Sequence, residues 1–193
     1  MLLAALAGTG YAADQRPVYI KTDATSAGAA ASTTVVAKHL GAEVYKTMLT
    51  CSDTPVTIAY GGAGTNSVGG VKIYDFPAGR ILVLGLTVDS MTVTPVEANG
   101  FSATDGGDFS FGTAAAAGAD LETTAIDLCP KTSIDPIVTA TSAALAASAQ
   151  FDGTTTAKDV YANFLVDAND ITNNASLTFD ATVTITWMNL GDY

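Results

Sequence analysis

From residue 177 to residue 187 apolar and polar side chains alternate without a break. Leu177, Phe179, Ala181, Val183, Ile185 and Trp187 fall on one side, and Thr178, Asp180, Thr182, Thr184 and Thr186 on the other. A period of two is the signature of a strand with one buried face. At about 3.3 Å per residue such a strand runs roughly 35 Å. That is more than twice the roughly 16 Å radius of gyration expected of one domain of this length, so the strand is expected to cross the whole body of the fold.

Further segments rich in β-branched and aromatic residues lie at 18–22, 43–50, 55–60, 71–76, 80–88, 91–96, 108–112, 122–128 and 159–166, which makes about ten candidate strands. Clusters of Gly, Asp, Asn and Ser punctuate them at 60–70, 105–108 and 167–174. These residues supply positive φ or side-chain-to-backbone bonds in turns. The pattern predicts an all-β fold, an antiparallel β-sandwich of jelly-roll-like type. The run RILVLGL at 80–86 is almost continuously apolar. Such a run is expected of a strand covered on both faces, in the centre of a sheet or under a neighbouring subunit.

Two stretches do not read as strands. Residues 24–41 are rich in Ala and Thr, with a short helix predicted around 35–40, and residues 140–149 read as a helix or a long connection. Alanine favours helix, while the interspersed Ser and Thr oppose it. The organisation expected is an Ala/Gly-rich N-terminal arm over 1–42, carrying the short helix, followed by one sandwich domain over 43–193. No repeat of solenoid or propeller period is present.

With 193 residues, 48% hydrophobic and 14% charged, the chain is built to fold as one domain and is not disordered. Eight Lys and Arg against 19 Asp and Glu leave a net charge of −11, the wrong sign for binding phosphate, so nucleic acid is not an expected partner. The N-terminal stretch MLLAALAGTGYAA resembles the apolar part of a secretory leader, but the first basic residue is Arg16. Without a basic n-region the stretch is expected to be an apolar arm. No window approaches the roughly 18 apolar residues of a membrane span, and no membrane partner is expected.

Little of the side-chain inventory supports catalysis. His39 is the only histidine, so every mechanism using imidazole hangs on it; it is expected at a helix end, beside free carbonyls. No serine lies in a GxSxG elbow. The glycines of 61–70 lack the Lys-Ser/Thr of a phosphate loop and are expected to form a hairpin tip. Cys51 and Cys129 form no CxxC pair and are expected to be small buried hydrophobes, although one disulfide between them is equally drawable. Many acid pairs suit glycoside chemistry, and nothing selects one.

Calcium is the one cofactor for which oxygen ligands cluster, at Asp167, Asn169, Asp170, Asn173 and Asn174 and at Asp105 and Asp108. Neither loop has the spacing of an EF-hand. No catalytic, cofactor or metal residue is therefore assigned.

Four phrases carry a family resemblance: GVKIYDFPAGRI at 70–81, GDFSFGTA at 107–114, AQFDGTTTAKDVY at 149–161 and VTITWMNLGDY at 183–193. In these the chain resembles a family of small capsid-associated proteins of tailed bacteriophages, the head decoration or minor capsid proteins. The resemblance covers roughly 70–193, and none of the phrases is a catalytic motif. It implies a structural virion protein on the outer capsid surface, assembled in the host cytoplasm, with the major capsid protein and copies of itself as partners. A homotrimer is expected. Two other readings share the composition: a secreted or surface β-sandwich that binds carbohydrate or mediates adhesion, and a tail tube or head fibre subunit. Trp187, the one tryptophan, lies on the apolar side of its strand, which favours core packing over sugar stacking.

Overall fold

A computed structural model of the chain describes residues 19–20, 33–41, 44–139, 141–144, 149–156 and 158–191. Among the described residues the strands are β1 (Tyr19–Ile20), β2 (Thr33–Gly41), β3 (Val44–Ile58), β4 (Ser67–Asp75), β5 (Gly79–Pro95), β6 (Gly107–Gly112), β7 (Cys129–Ile134), β8 (Thr141–Ala144), β9 (Ala149–Gly153), β10 (Asp159–Val166) and β11 (Ala175–Asn189). They form a seven-stranded sheet, β1-β2-β3-β11-β5-β8 with β9 also on β5, and a four-stranded sheet, β4-β10-β6-β7. Every pairing is antiparallel. The two sheets pack face to face, the all-β sandwich that the alternation predicts.

The long alternating segment is β11, and it occupies the middle of the long sheet between β3 and β5. Its inward residues Leu177, Phe179, Val183, Ile185 and Trp187 are buried, and its outward threonines are half-buried. Phe164 of β10 meets Phe179 across the two layers, ring centroids 5.1 Å apart. Phe76 approaches Trp187 edge-on at 5.4 Å. Aromatic pairs of this geometry add to the burial that holds the sheets together.

Several predicted elements change. Segments 43–50 and 55–60 are one strand, β3, and segments 80–88 and 91–96 are one strand, β5. Each is interrupted by a bulge at the same level of β11: Asp53 (φ 46°) in β3 and Ser90 (φ 50°) in β5. A bulge breaks the alternation while the ladder resumes beyond it, so each strand looks like two. The 35–40 helix is instead part of β2, where a run of β-branched residues pairs with β3. The 140–149 stretch contributes β8 and the start of β9, both on the open side of β5; cross-strand pairing outweighs the helix propensity of alanine. The remainder of the arm, 1–18, 21–32 and 42, lies outside the described residues.

The predicted strand 122–128 is a loop with a single 3₁₀ turn, Thr123–Ala125. Its backbone is held by side chains rather than by a ladder. Asn163 of β10, fully buried, donates from Nδ2 to the carbonyls of Ala114 (3.1 Å) and Ala125 (3.0 Å) and accepts from the N–H of Ala116 (2.8 Å). Ser110 donates to the Ala125 carbonyl at 2.8 Å. Leu121 then packs with Val68 and Leu165 on the outer face of the small sheet. Over β10 the sheet is covered on both sides, which explains the nearly continuous burial of that strand.

Candidate interaction surface

The loops picked out for oxygen ligands do meet in space. The 102–106 and 167–170 segments sit side by side at one end of the small sheet: the Gly106 N–H donates to Asp170 Oδ2 (3.2 Å) and the Asp167 N–H to the Gly106 carbonyl (3.2 Å). Several of their oxygens are engaged by hydrogen bonds from the chain itself. Asp105 accepts from the N–H and hydroxyl of Ser102 (2.7 and 2.9 Å), Asn169 from the Gly64 N–H (3.0 Å), and Asn174 from the Tyr60 N–H (2.9 Å). Asn173 accepts from the Asn174 N–H (2.8 Å). The Asp105 and Asn173 bonds are local to their loops, while Asn169 and Asn174 tie the 167–174 loop to the 60–64 segment. Among the described residues no group of three His, Cys, Asp or Glu is arranged to hold a metal ion.

Burial raises the Asp170 carboxyl above the usual carboxylate range, with Asp105, Asp167 and Asp135 adding to it against the Gly106 N–H. Asp108 is raised by burial too, opposed by Lys131, whose Nζ is 3.8 Å away.

Asp75 and Asp159, a pair that sequence reasoning missed, face each other directly across β4 and β10. Lys72 Nζ lies 2.7 Å from Asp75 and 3.8 Å from Asp159, and Tyr161 donates to Asp159 at 3.4 Å. Burial first, and Asp75 second, push the Asp159 carboxyl up. Like charges opposite one another are unfavourable, and the ammonium between them offsets that. No signal in sequence foretells such a pair, since the two residues are brought together only by strand register.

The other residues singled out in the sequence have structural places. Trp187 is buried, stacked on Tyr45 at 4.5 Å, with its indole N–H donated to Thr47 Oγ1 at 3.0 Å. Cys51 and Cys129 are both buried and not joined by a disulfide, and burial pushes the Cys129 thiol up to about 11. His39 stands in β2, in register with Tyr45, not at a helix end. The last four residues of the expected 61–70 hairpin tip are strand: Ser67–Asp75 is β4, and Gly69 lies against the Thr57 carbonyl.

The feature left without an internal role is the outer face of the long sheet. In β3 the outward Lys46, Met48 and Thr50 are exposed, and in β5 the outward Leu84 and Thr87. Met48 and Leu84 are 40% and 44% exposed. In the 80–86 run Ile81, Val83 and Leu86 are buried, the alternation shifting at a second bulge of β5 where Leu84 and Gly85 lie opposite Thr186 and Trp187, and the expected second cover is missing over Leu84. Register places Met48 beside Thr184 and Thr87, and Met188 between Val44 and Leu82. Further along the same strands, Asp53, Asp180 and Asp89 cross the face at the level of the two bulges, with the Asp53 N–H donated to Asp180 Oδ1 at 3.0 Å. The face carries an apolar band with Lys46 in it, then a carboxylate band, among threonines.

No protein-family model matches the chain, and no curated protein matches it. Among solved structures, an arabinose-bound α-L-arabinofuranosidase, MgGH51, is similar at a TM-score of 0.28 and 9% identity. The match covers 80% of this chain and 22% of that enzyme. A likeness of this degree carries no argument about fold or activity.

Proposed function

We propose that the chain is a structural protein of a tailed-bacteriophage virion, seated on the outer surface of the capsid through contacts with the major capsid protein and with copies of itself. It has no catalytic centre and no cofactor in this reading, and its partners include neither nucleic acid nor membrane. The observation that carries the proposal is the outer face of the long sheet: a broad, threonine-lined surface with exposed Met48 and Leu84. Exposed apolar side chains grouped on a sheet favour burial against another protein. A net charge of −11 is repelled by packaged DNA, which favours the outside of the shell. The family resemblance over 70–193 points the same way.

Nothing observed favours a sugar-binding reading. Trp187 is covered by Tyr45, and Tyr45, Tyr60, Tyr74 and Tyr161 are all buried or half-buried.

Quantitative mass spectrometry of purified particles tests the assignment. The chain is expected at a fixed ratio to the major capsid protein, with density on the outside of the shell in an electron-microscopy reconstruction. Its absence from washed particles, or glycan binding by the isolated chain, overturns the proposal.

A further inference from the structure

We infer that β9, at the open edge of the seven-stranded sheet, pairs antiparallel with β9 of a second copy about a two-fold axis at Phe151, joining the two long sheets into one. Among the described residues β9 has a strand neighbour on one side only, β5. Which of its backbone groups are left open follows from the ladder. The Arg80 N–H of β5 donates to the Gly191 carbonyl (3.2 Å), and the Arg80 carbonyl accepts from the Leu190 N–H (2.7 Å), both on the side away from β9. Opposed residues of an antiparallel pair alternate between exchanging backbone bonds and not doing so. Arg80 and Asp152 are therefore a pair without backbone bonds, and Gln150 and Asp152 turn their N–H and C=O groups to the free edge.

Register selects the occupant. The two residues with open groups stand one step either side of Phe151. A copy turned about a two-fold at 151 sets Gln150 opposite the partner's Asp152 and Asp152 opposite the partner's Gln150, and each pair exchanges both of its backbone bonds. This is the self-complementarity that an isologous contact requires. The side chains agree with it. On the outer face an amide meets each Asp152 carboxylate, which has Arg80 in register on its other flank, and no two carboxylates stand directly opposed. On the inner face Phe151 packs on Phe76 at 5.2 Å and is only half-buried. The axis sets it against the partner's Phe151 in a pair without backbone bonds, the kind in which cross-strand side chains are closest. An open cavity of about 310 Å³ lined by Arg80, Gln150, Phe151 and Asp152 gives the side chains of the second strand room at this edge.

The edge strand β7 of the small sheet carries exposed Pro130 and Lys131, which oppose strand addition. The β9 sequence AQFDG has neither. An edge of five residues covers less than the roughly 800 Å² per partner of a standard interface, so a weak, rapidly reversible dimer is expected. The pairing is distinct from the three-fold cluster expected from sequence, because antiparallel edges of identical strands meet about a two-fold. It also stands apart from the virion assignment, since the isolated chain can pair whether or not it binds a capsid.

Sedimentation equilibrium of the full chain at concentrations up to about 1 mM tests it, and a reversible monomer–dimer equilibrium is expected. Gln150→Pro removes an N–H that only the second copy uses, a position where an edge strand tolerates proline. It is expected to weaken the dimer at least about tenfold with an unchanged melting temperature, and Gln150→Ala, which keeps the N–H, to weaken it less. Phe151→Cys brings two thiols together at the axis and is expected to give a disulfide-linked dimer on air oxidation. Thr155→Cys, exposed but four residues further from the axis, is not, and this contrast does not depend on Q150P folding. A chain that stays monomeric overturns the inference, and so does a dimer indifferent to Q150P or one that T155C links as readily as F151C.

Discussion

Trp187 and Thr47, 140 residues apart, are joined by a buried hydrogen bond of 3.0 Å from the indole N–H to the threonine hydroxyl. Thr47 is fully buried on the inward side of β3, and it also hydrogen-bonds Tyr74. One hydroxyl therefore satisfies polar atoms of two aromatic residues at the end of the core.

Replacing Thr47 by Val keeps the shape and removes the acceptor. A buried donor left without a partner costs about 1–3 kcal/mol, so T47V is expected to lower the unfolding free energy by that amount in urea melts. T47S keeps the hydroxyl and is expected to lose less. A larger loss for T47S than for T47V would mean that packing of the methyl, and not the hydrogen bond, is what matters.

Asn163 holds the 113–126 loop over the small sheet. Asn163→Leu leaves the half-buried Ala114 carbonyl and Ala116 N–H without their side-chain partner, at about 0.5–1.5 kcal/mol for each bond lost. Hydrogen exchange is expected to accelerate in this loop first, while β3, β5 and β11 stay protected. Uniform acceleration across the molecule would show that the loop is not a separate unit.

Two glycines in strands are expected to respond oppositely to alanine. At Gly69 a Cβ would collide with the Thr57 carbonyl, whereas at Gly85 no atom lies within 4 Å of where the Cβ would stand. G69A forces backbone apart and is expected to destabilise by about 1–3 kcal/mol. G85A removes the entropic penalty of glycine and is expected to stabilise by about 0.5–1 kcal/mol. Thermal melts of the two variants decide it.

Asp108, Asp159 and Asp170 are each raised above the carboxylate value of 3.8, chiefly by burial. A raised folded-state pKa means that the folded chain binds more protons than the unfolded chain in the window just above 3.8. Stability there falls as pH rises. The melting temperature is therefore expected to increase as the pH is lowered from neutral toward that window. Asp120 and Asp152, both lowered by hydrogen bonds, act in the opposite sense at more acid pH. Asp159→Asn should flatten the rise; an unchanged slope would assign it to the overall negative charge alone.

Legibility in the sequence followed the range of the interactions. The 159–166 segment coincides with β10, and the 177–187 alternation lies wholly within β11, because a strand's inward and outward sides are written into neighbouring residues. Asp53 and Ser90 were opaque: each sits in a bulge whose existence depends on what β11 presents opposite it. Val36 read as helix, and Ala143 as helix or connection, for a related reason. Their strands form on edges offered by β5 and β3, and propensity over a few residues knows nothing of an edge supplied by distant chain.

The candidate face divides in the same way. Its threonines, and the side of β11 they occupy, are plain in the alternation of 177–187, and so is the sandwich that this alternation implies. The grouping of Met48 with Leu84, the band of Asp53, Asp180 and Asp89, and the Asp75–Asp159 pair depend on strand order and register. These are set by long-range ladders and bulges, whose pairing free energy is a property of two segments at once and is encoded in neither alone.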